Sequence, residues 1–472
     1  MKPHAVPLAA FAIAVSGSAF AENAGSSSVT LGSAYIVPKS SGALPVENVL
    51  TSVDIMGSDK IEDKTVSNSW ELLGQMPGIQ LTETRMGAES GKVTFRAFNG
   101  EGYINGIKTL IDGVPSNVNS GNQRFIDMIF PLDMEYIEVV RGTNDPRYGL
   151  HNIGGNINFV TRQGGNYKDA RLTYGSFNTR EFQLAVGHEE GNFAQNYFFA
   201  KQDSDGFRDH SESDKYSLGG KWFVTDDDET MKLGLVARLY HHEAEEPGFQ
   251  TARELAASRT ESAEKNANDG DDRDMKHLSA HADFQLSDDL SLSNKLYFNS
   301  YDDDRTVTFT DYQVGNAPRQ RRQWDERQTG VLSNLTWRAH EMLTLDGGVN
   351  YEQQDNEYRR TRYNFGIPTD FDAPPARVQN DDSYTLYNTG AYAQAIIQPI
   401  EQLKIIPAYR VDKIQGDFTN QMTGQDYAIN DYGLIKQPKL SVVYSVTPDV
   451  NVYANWGRTF QILTGSTAPA YM

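Results

Sequence analysis

Residues 231–240 read Met231-Lys232-Leu233-Gly234-Leu235-Val236-Ala237-Arg238-Leu239-Tyr240, and the period of this stretch decides the fold. In an extended chain, side chains point alternately to opposite faces. Met231, Leu233, Leu235, Ala237 and Leu239 therefore share one face, with Lys232, Arg238 and Tyr240 on the other. The same period recurs. Leu290, Leu292, Leu296 and Phe298 alternate with Ser291, Ser293, Lys295 and Tyr297. Leu343, Leu345, Val349 and Tyr351 oppose Thr344, Asp346, Asn350 and Glu352, and Val450, Val452, Ala454 and Trp456 oppose Asn451, Tyr453 and Asn455. Each run of about ten residues is long enough to cross a bilayer as a tilted strand. A greasy face and a polar face suit a membrane barrel, with lipid outside and water inside.

A soluble β-sandwich also alternates, so the connections discriminate. Short ones fall near 188–192, 225–229, 287–289, 339–342, 398–402 and 446–449. Long ones cover roughly 203–214, 241–275, 302–323, 353–382 and 413–437. Short turns at one end and long loops at the other mark an outer-membrane barrel, whereas a sandwich has no reason to sort its loops by parity. About thirteen strands are expected from about residue 168 to residue 472.

Composition agrees. Nowhere among the 472 residues is there an apolar run of the ~18 that a membrane helix needs. The 22 Phe, 24 Tyr, 5 Trp and 40 Gly suit aromatic girdles and many turns. A net charge of −20 excludes a nucleic-acid binder, and the lack of cysteine excludes disulfides and thiolate metal sites. At the N-terminus, Lys2, the mostly apolar Ala5 to Val15 and Ala19-Phe20-Ala21 read as a secretory signal over residues 1–21. Residues 22–45, rich in Ser, Gly and Ala, read as a flexible arm. Within it Ala34-Tyr35-Ile36-Val37 is a short extended apolar patch suited to joining another protein's sheet edge.

Residues 46–163 read as a compact mixed α/β unit. Asn68 followed by Glu71 predicts a capped helix carrying Trp70, Leu72 and Leu73 and stopping at Pro77-Gly78. Strands are expected at Val93-Thr94-Phe95, Thr109-Leu110-Ile111, Ile137 to Val140 and Ile157 to Val160, with a tight turn at Asp112-Gly113.

The same unit resembles the plug of TonB-dependent receptors. The residues that carry the resemblance are Pro77-Gly78-Ile79, Leu110-Ile111-Asp112-Gly113-Val114-Pro115, Ile137-Glu138-Val139-Val140-Arg141-Gly142, Arg147-Tyr148-Gly149 and Ile153-Gly154-Gly155-Asn156-Ile157-Asn158-Phe159-Val160-Thr161, in that order. Tyr453 to Phe460 resembles the family's late-barrel aromatic stretch. Arg96-Ala97-Phe98 departs from the family pattern, which has glycine at the middle position. The resemblance implies a mostly β protein: a plug domain followed by an antiparallel transmembrane β-barrel, of which about thirteen of an expected 22 strands are present. Such a chain would be a fragment or a product cut short.

The resemblance further implies an outer-membrane receptor for energised uptake of a scarce nutrient. Its partners would be the inner-membrane TonB protein, docking at Ala34, Tyr35, Ile36 and Val37, outer-membrane lipid and a small-molecule ligand. Family analogy puts ligand contacts at the plug apex, on Arg85, Met86, Asn117, Asn119 and Gln123. On the outer loops, Arg319, Arg321 and Arg322 near Trp324, and Tyr358, Arg359, Arg360, Arg362 and Tyr363, form arginine-aromatic clusters that would concentrate an anion. That favours an anionic ferric siderophore, with iron only as cargo; cobalamin, haem or another nutrient stays open. No catalytic constellation stands out. His241 and His242, adjacent on a strand, would point to opposite faces, and Asp226 to Asp228 and Asp302 to Asp304 read as hydrated turn and loop.

Overall fold

A computed structural model describes residues 52–82, 91–95, 105–142, 145–308, 319–363, 375–447 and 450–462. The arm patch Ala34 to Val37 and the apex residues Arg85 and Met86 lie outside the described residues.

The front unit is built on a five-stranded sheet. The strand Ser52–Gly57 pairs antiparallel with Met134–Arg141, which pairs with Gly155–Thr161; that strand runs parallel to Ile107–Ile111, whose hairpin partner is Val114–Pro115. Asp112 (φ 51°) and Gly113 (φ 74°) make the hairpin turn, the left-handed pair that such two-residue turns need. The expected helix is a 3-10 helix, Ser69–Gln75, and its capping box is present: the Asn68 N–H donates to Glu71 Oε1 at 3.0 Å. It buries Trp70, Leu72 and Leu73 in one core with Ile111, Phe125, Ile137 and Phe159.

From Tyr167–Tyr174 to Val450–Gly457, thirteen strands follow in chain order, each antiparallel to the last, with the short strand Gln425–Ala428 attached to Leu403–Asn420. This wall wraps around the front unit, which touches Gln183 on the second strand and Arg410 on the eleventh. The alternation read from the sequence is seen directly. Leu233, Leu235 and Leu239 are exposed while Val236, Arg238 and Tyr240 are buried. Cross-strand register lines the outward residues into rows, such as Leu235–Ala280–Leu296–Val331–Tyr351. No helix among the described residues is long and apolar enough to cross a membrane.

Two expectations need correction. All but the first and last wall strands are longer than ten residues: Arg319–His340 has 22 and Arg377–Ile400 has 24. At ~3.3 Å per residue and a tilt of ~40°, a strand of 22 stands about 55 Å tall, roughly twice the ~25 Å apolar band. Its upper half therefore rises beyond lipid. Consequently Arg319, Arg321, Arg322, Tyr358, Arg359 and Arg362 lie in strands and not in loops. Backbone pairing continues past the apolar belt because polar residues alternate there too, and loop reading from polarity alone misses this.

The outward rows yield a direct test. Leu235→Arg is expected to destabilise the barrel in bilayers by about 2–4 kcal/mol, the cost of a cation near the midplane of the lipid face. Folding yield into vesicles reads this, and an unchanged yield would show that this face does not meet lipid.

Candidate functional site

The junction of front unit and wall is charged and buried. At the Asp112-Gly113 turn, Lys295 Nζ donates to the Asp112 carbonyl at 2.6 Å, and its ammonium occupies the space that a Cβ on Gly113 would need. The Asp112 carboxylate accepts from the Thr161 N–H at 2.8 Å and from Thr161 Oγ1 at 2.8 Å. Lys221 Nζ reaches Asp133 Oδ1 at 3.0 Å and Thr161 Oγ1 at 2.6 Å. Arg238 pairs with Asp133 and donates to Thr161 Oγ1 at 2.8 Å. Burial by itself raises the Asp112 carboxyl, but Lys221, Arg238 and the Thr161 hydrogen bonds outweigh it and hold the group below its ordinary value.

A second clamp explains the Arg147-Tyr148-Gly149 motif. Asp145 accepts from Arg147 Nε at 3.0 Å and from its NH2 at 2.8 Å, a buried fork. The Arg410 guanidinium of the wall donates to the carbonyls of Pro146 (3.2 Å) and Arg147 (3.0 Å), and is itself held by Asp412. A Cβ on Gly149 would lie 2.7 Å from Arg410 Nε and 2.7 Å from Asp412 Oδ1, so only glycine lets the wall come this close. Burial raises the Asp145 carboxyl, and Arg147 with its hydrogen bonds more than reverses this, leaving it lowered. Burial, helped by Lys108, lowers the His151 imidazole to about 3, so this ring stays neutral.

The apex residues expected to meet ligand have other partners. The Asn117 side chain accepts from the Thr109 N–H and donates to the Ile107 and Gly121 carbonyls, closing its own loop. The Asn119 N–H donates to Glu326 Oε2 at 2.6 Å, and its amide to the Asp355 carbonyl at 2.9 Å. Gln123 Oε1 accepts from the Val93 N–H at 2.9 Å, tying the apex loop to the strand Lys92–Thr94.

Strand parity sorts the arginines. The residues that reach the front unit, Glu326 and Gln328, are even-numbered in Arg319–His340, so Arg322 and Trp324 also face inward. By register Arg305, Arg322 and Arg360 form one inward row, and Arg362 with Arg377 lies next above. One row below, the Trp324 and Tyr358 rings sit 5.3 Å apart, with Trp324 against the front unit's core. Arg321 and Arg359 are on the outward face, paired with Asp304 (2.5 Å) and Asp381 (3.6 Å). Arg319 shares their parity and is buried, opposite Tyr363. His241 and His242 do face opposite ways, His241 meeting Asp274 at 3.2 Å on the outside and His242 buried within.

Of the expected wall residues, the structure thus brings together Arg322, Tyr358, Arg360 and Arg362, and it adds Arg305 and Arg377. The signal for Arg305 was parity within a strand, counted from a residue that faces inward; Arg377 is odd in a strand whose inward residues are even, and joins the row only through the register shift beside Arg360. Nothing local in the sequence pointed to the pairing of Lys221, Arg238, Lys295 and Arg410 with the front unit, whose partners lie 59 to 264 residues away.

Comparison with known proteins agrees with this layout. A family model described as TonB-dependent Receptor Plug Domain matches residues 45–156, and one described as TonB dependent receptor-like, beta-barrel matches residues 203–472. The vitamin B12 transporter BtuB of Vibrio vulnificus strain CMCP6 is 25% identical over 156 residues, 33% of this chain and 24% of that protein. Among solved structures, the ferric citrate transporter FecA in its unliganded form superposes with a TM-score of 0.73 at 19% identity, covering 88% of this chain and 63% of that one. The siderophore receptor PiuA of Acinetobacter baumannii gives a TM-score of 0.71 at 16% identity, covering 87% and 65%. The chain thus spans less than two thirds of the length of each of these proteins.

Proposed function

The chain belongs to the TonB-dependent receptor family, and from that premise we propose that it acts in energised uptake of an anionic ferric siderophore complex across the outer membrane. The family is one of outer-membrane transport receptors with a plug inside a β-barrel. The observation that carries the ligand class is the inward arginine array, Arg322, Arg360, Arg362 and Arg377, set above Trp324 and Tyr358. In a chain of net charge −20, these four guanidiniums on two adjacent rows of one wall concentrate anions there, whereas Arg305 beside them is held by Glu246. Guanidinium forks match carboxylate oxygens. Export by residues 1–21, docking of TonB at Ala34 to Val37 and iron as cargo belong to the same reading.

Cobalamin is the second reading, because a relative named as a vitamin B12 transporter aligns with the chain. Binding titration separates the two: ferric siderophores carrying free carboxylates are expected to bind and cobalamin is not, and the reverse order would overturn the ligand assignment. Deleting Ala34 to Val37 is expected to abolish energised uptake in cells while leaving binding intact. Uptake at the undeleted rate would remove the docking assignment.

A further inference from the structure

The chain leaves the wall at Gly457. The strand Val450–Gly457 pairs with Ile435–Thr447 as far as Gly457 and Lys439. The Arg458 N–H still donates to the Pro438 carbonyl at 3.0 Å, but Pro438 has no N–H to return, and the ladder stops. Residues 458–462 then run into the lumen against the plug. The Arg458 carbonyl accepts from Lys439 Nζ at 3.4 Å, and Thr459 Oγ1 donates to the Asn152 carbonyl at 3.3 Å. Ile462 is buried in one apolar cluster with Leu150 of the plug and Leu386, Ile414 and Phe418 of the wall.

Gln461 makes the contact that matters most. The His151 N–H donates to Gln461 Oε1 at 3.3 Å, and Gln461 Nε2 lies 3.0 Å from His151 Nδ1. A backbone N–H can only donate, so it holds the amide with its oxygen there and its NH2 on the ring. Nδ1 must therefore accept, and the neutral ring carries its proton on Nε2. That tautomer is unfavourable in two ways. His151 Nε2 is buried with no hydrogen-bond partner among the described residues. The Nδ1 lone pair also faces the Asn105 carbonyl at 3.2 Å, acceptor against acceptor. The other tautomer would make that contact a hydrogen bond and leave no donor unpaired, but it would set donor against donor at Gln461.

We propose that residues 458–462 form a strap that latches the plug at His151, and that the two tautomers of this ring make the latch bistable. With the strap docked, Nδ1 serves Gln461. With the strap off, water takes the Nε2 proton and returns one to Nδ1, which then serves Asn105. Release thus regains one of the two hydrogen bonds it breaks, and the latch stays weak enough to open.

The ring also links the strap to the plug apex. A Cβ on Gly121 would lie 2.6 Å from His151 Cε1, and Asn105 Nδ2 donates to the Ser120 carbonyl at 2.6 Å. The apex loop is therefore tied to two parts of the wall, through Asn119 to Glu326 and through His151 to Gln461. Opening the latch frees one of these ties. No transported ligand takes part, so the test stands apart from the proposed uptake function.

Nitrogen NMR of the whole chain in detergent, isotope-labelled at histidine, reads the tautomer, and His151→Asn identifies the signal. The native ring is expected in the Nε2–H form. Gln461→Met keeps the volume and loses both hydrogen bonds, and the ring is expected to switch to Nδ1–H. Gln461→Glu keeps an oxygen for the His151 N–H and turns an acceptor to the ring, so the strap is expected to stay docked with Nδ1 protonated. Hydrogen exchange separates the two variants. At residues 117–121 and 149–152 it should rise about three- to tenfold in Gln461→Met, one net hydrogen bond, and stay within about twofold of native in Gln461→Glu. Protection of the wall strand Leu403–Asn420 should change in neither. A native ring in the Nδ1–H form, or exchange in Gln461→Met equal to native, would overturn the proposal. Should Gln461→Met fail to fold, the tautomers of the native chain and of Gln461→Glu decide, and the same tautomer in both would overturn it.

Discussion

Arg238→Ala is expected to loosen the seated plug by about 3–5 kcal/mol, the cost of stripping one partner from a buried ion pair. Arg238 has no exposed side-chain surface, and its partner Asp133 is 3% exposed. Without Arg238, Lys221 alone faces Asp133, and the Thr161 hydroxyl loses one of its two cationic donors. Asp133 and Thr161 are then short of a donor at a site with almost no exposed surface. Hydrogen-exchange protection of the Val114–Pro115 hairpin and of the strand Gly155–Thr161 should fall by on the order of a hundredfold or more. A control fixes the scale. Arg327 pairs with Asp325 at 3.1 Å, but both are well exposed, and Arg327→Ala should change protection by less than about 1 kcal/mol. Equal effects from the two substitutions would show that the buried network does not hold the plug.

Reversing charge at Arg360 and Arg362 together should abolish capture of an anionic ligand. A hydrogen bond to a charged group contributes roughly 1.5–3 kcal/mol, and two glutamates add repulsion. The expected loss is at least about 3 kcal/mol, or more than a hundredfold in Kd. The matching outward pair supplies the contrast. Arg321→Glu with Arg359→Glu makes the same change of net charge, one on the same strand and one on its neighbour, but on the face turned from the lumen. It should shift Kd by less than about threefold at 0.15 M salt, where charges more than ~8 Å apart are screened. If both double variants weakened binding alike, net charge and not the inward array would be the determinant.

These two results depend on information of different kinds. The arginine array was partly legible. Arg322, Tyr358 and Arg362 are visible as an arginine-aromatic cluster, but reading the segment as loop hid the parity that separates them from Arg321 and Arg359. Strand-length expectations set by bilayer thickness stopped the strands too early. Asn117 and Gln123, expected to meet ligand, use their side chains in hydrogen bonds within the front unit.

Period-two alternation, the parity of the connections, the Asp112-Gly113 turn and the Asn68–Glu71 cap are all local, and a chain's neighbours along the sequence are enough to specify them. The sequence therefore determined by itself that a mixed unit precedes a wall of about thirteen membrane strands. Only the tertiary structure decided which groups meet across the plug–wall junction, because Asp133 and Arg238, or the Arg147 carbonyl and Arg410, become neighbours only when the sheet wraps around the plug. Opposite charges attract at any separation in sequence, and burial, which makes such pairs strong, exists only once the chain has folded.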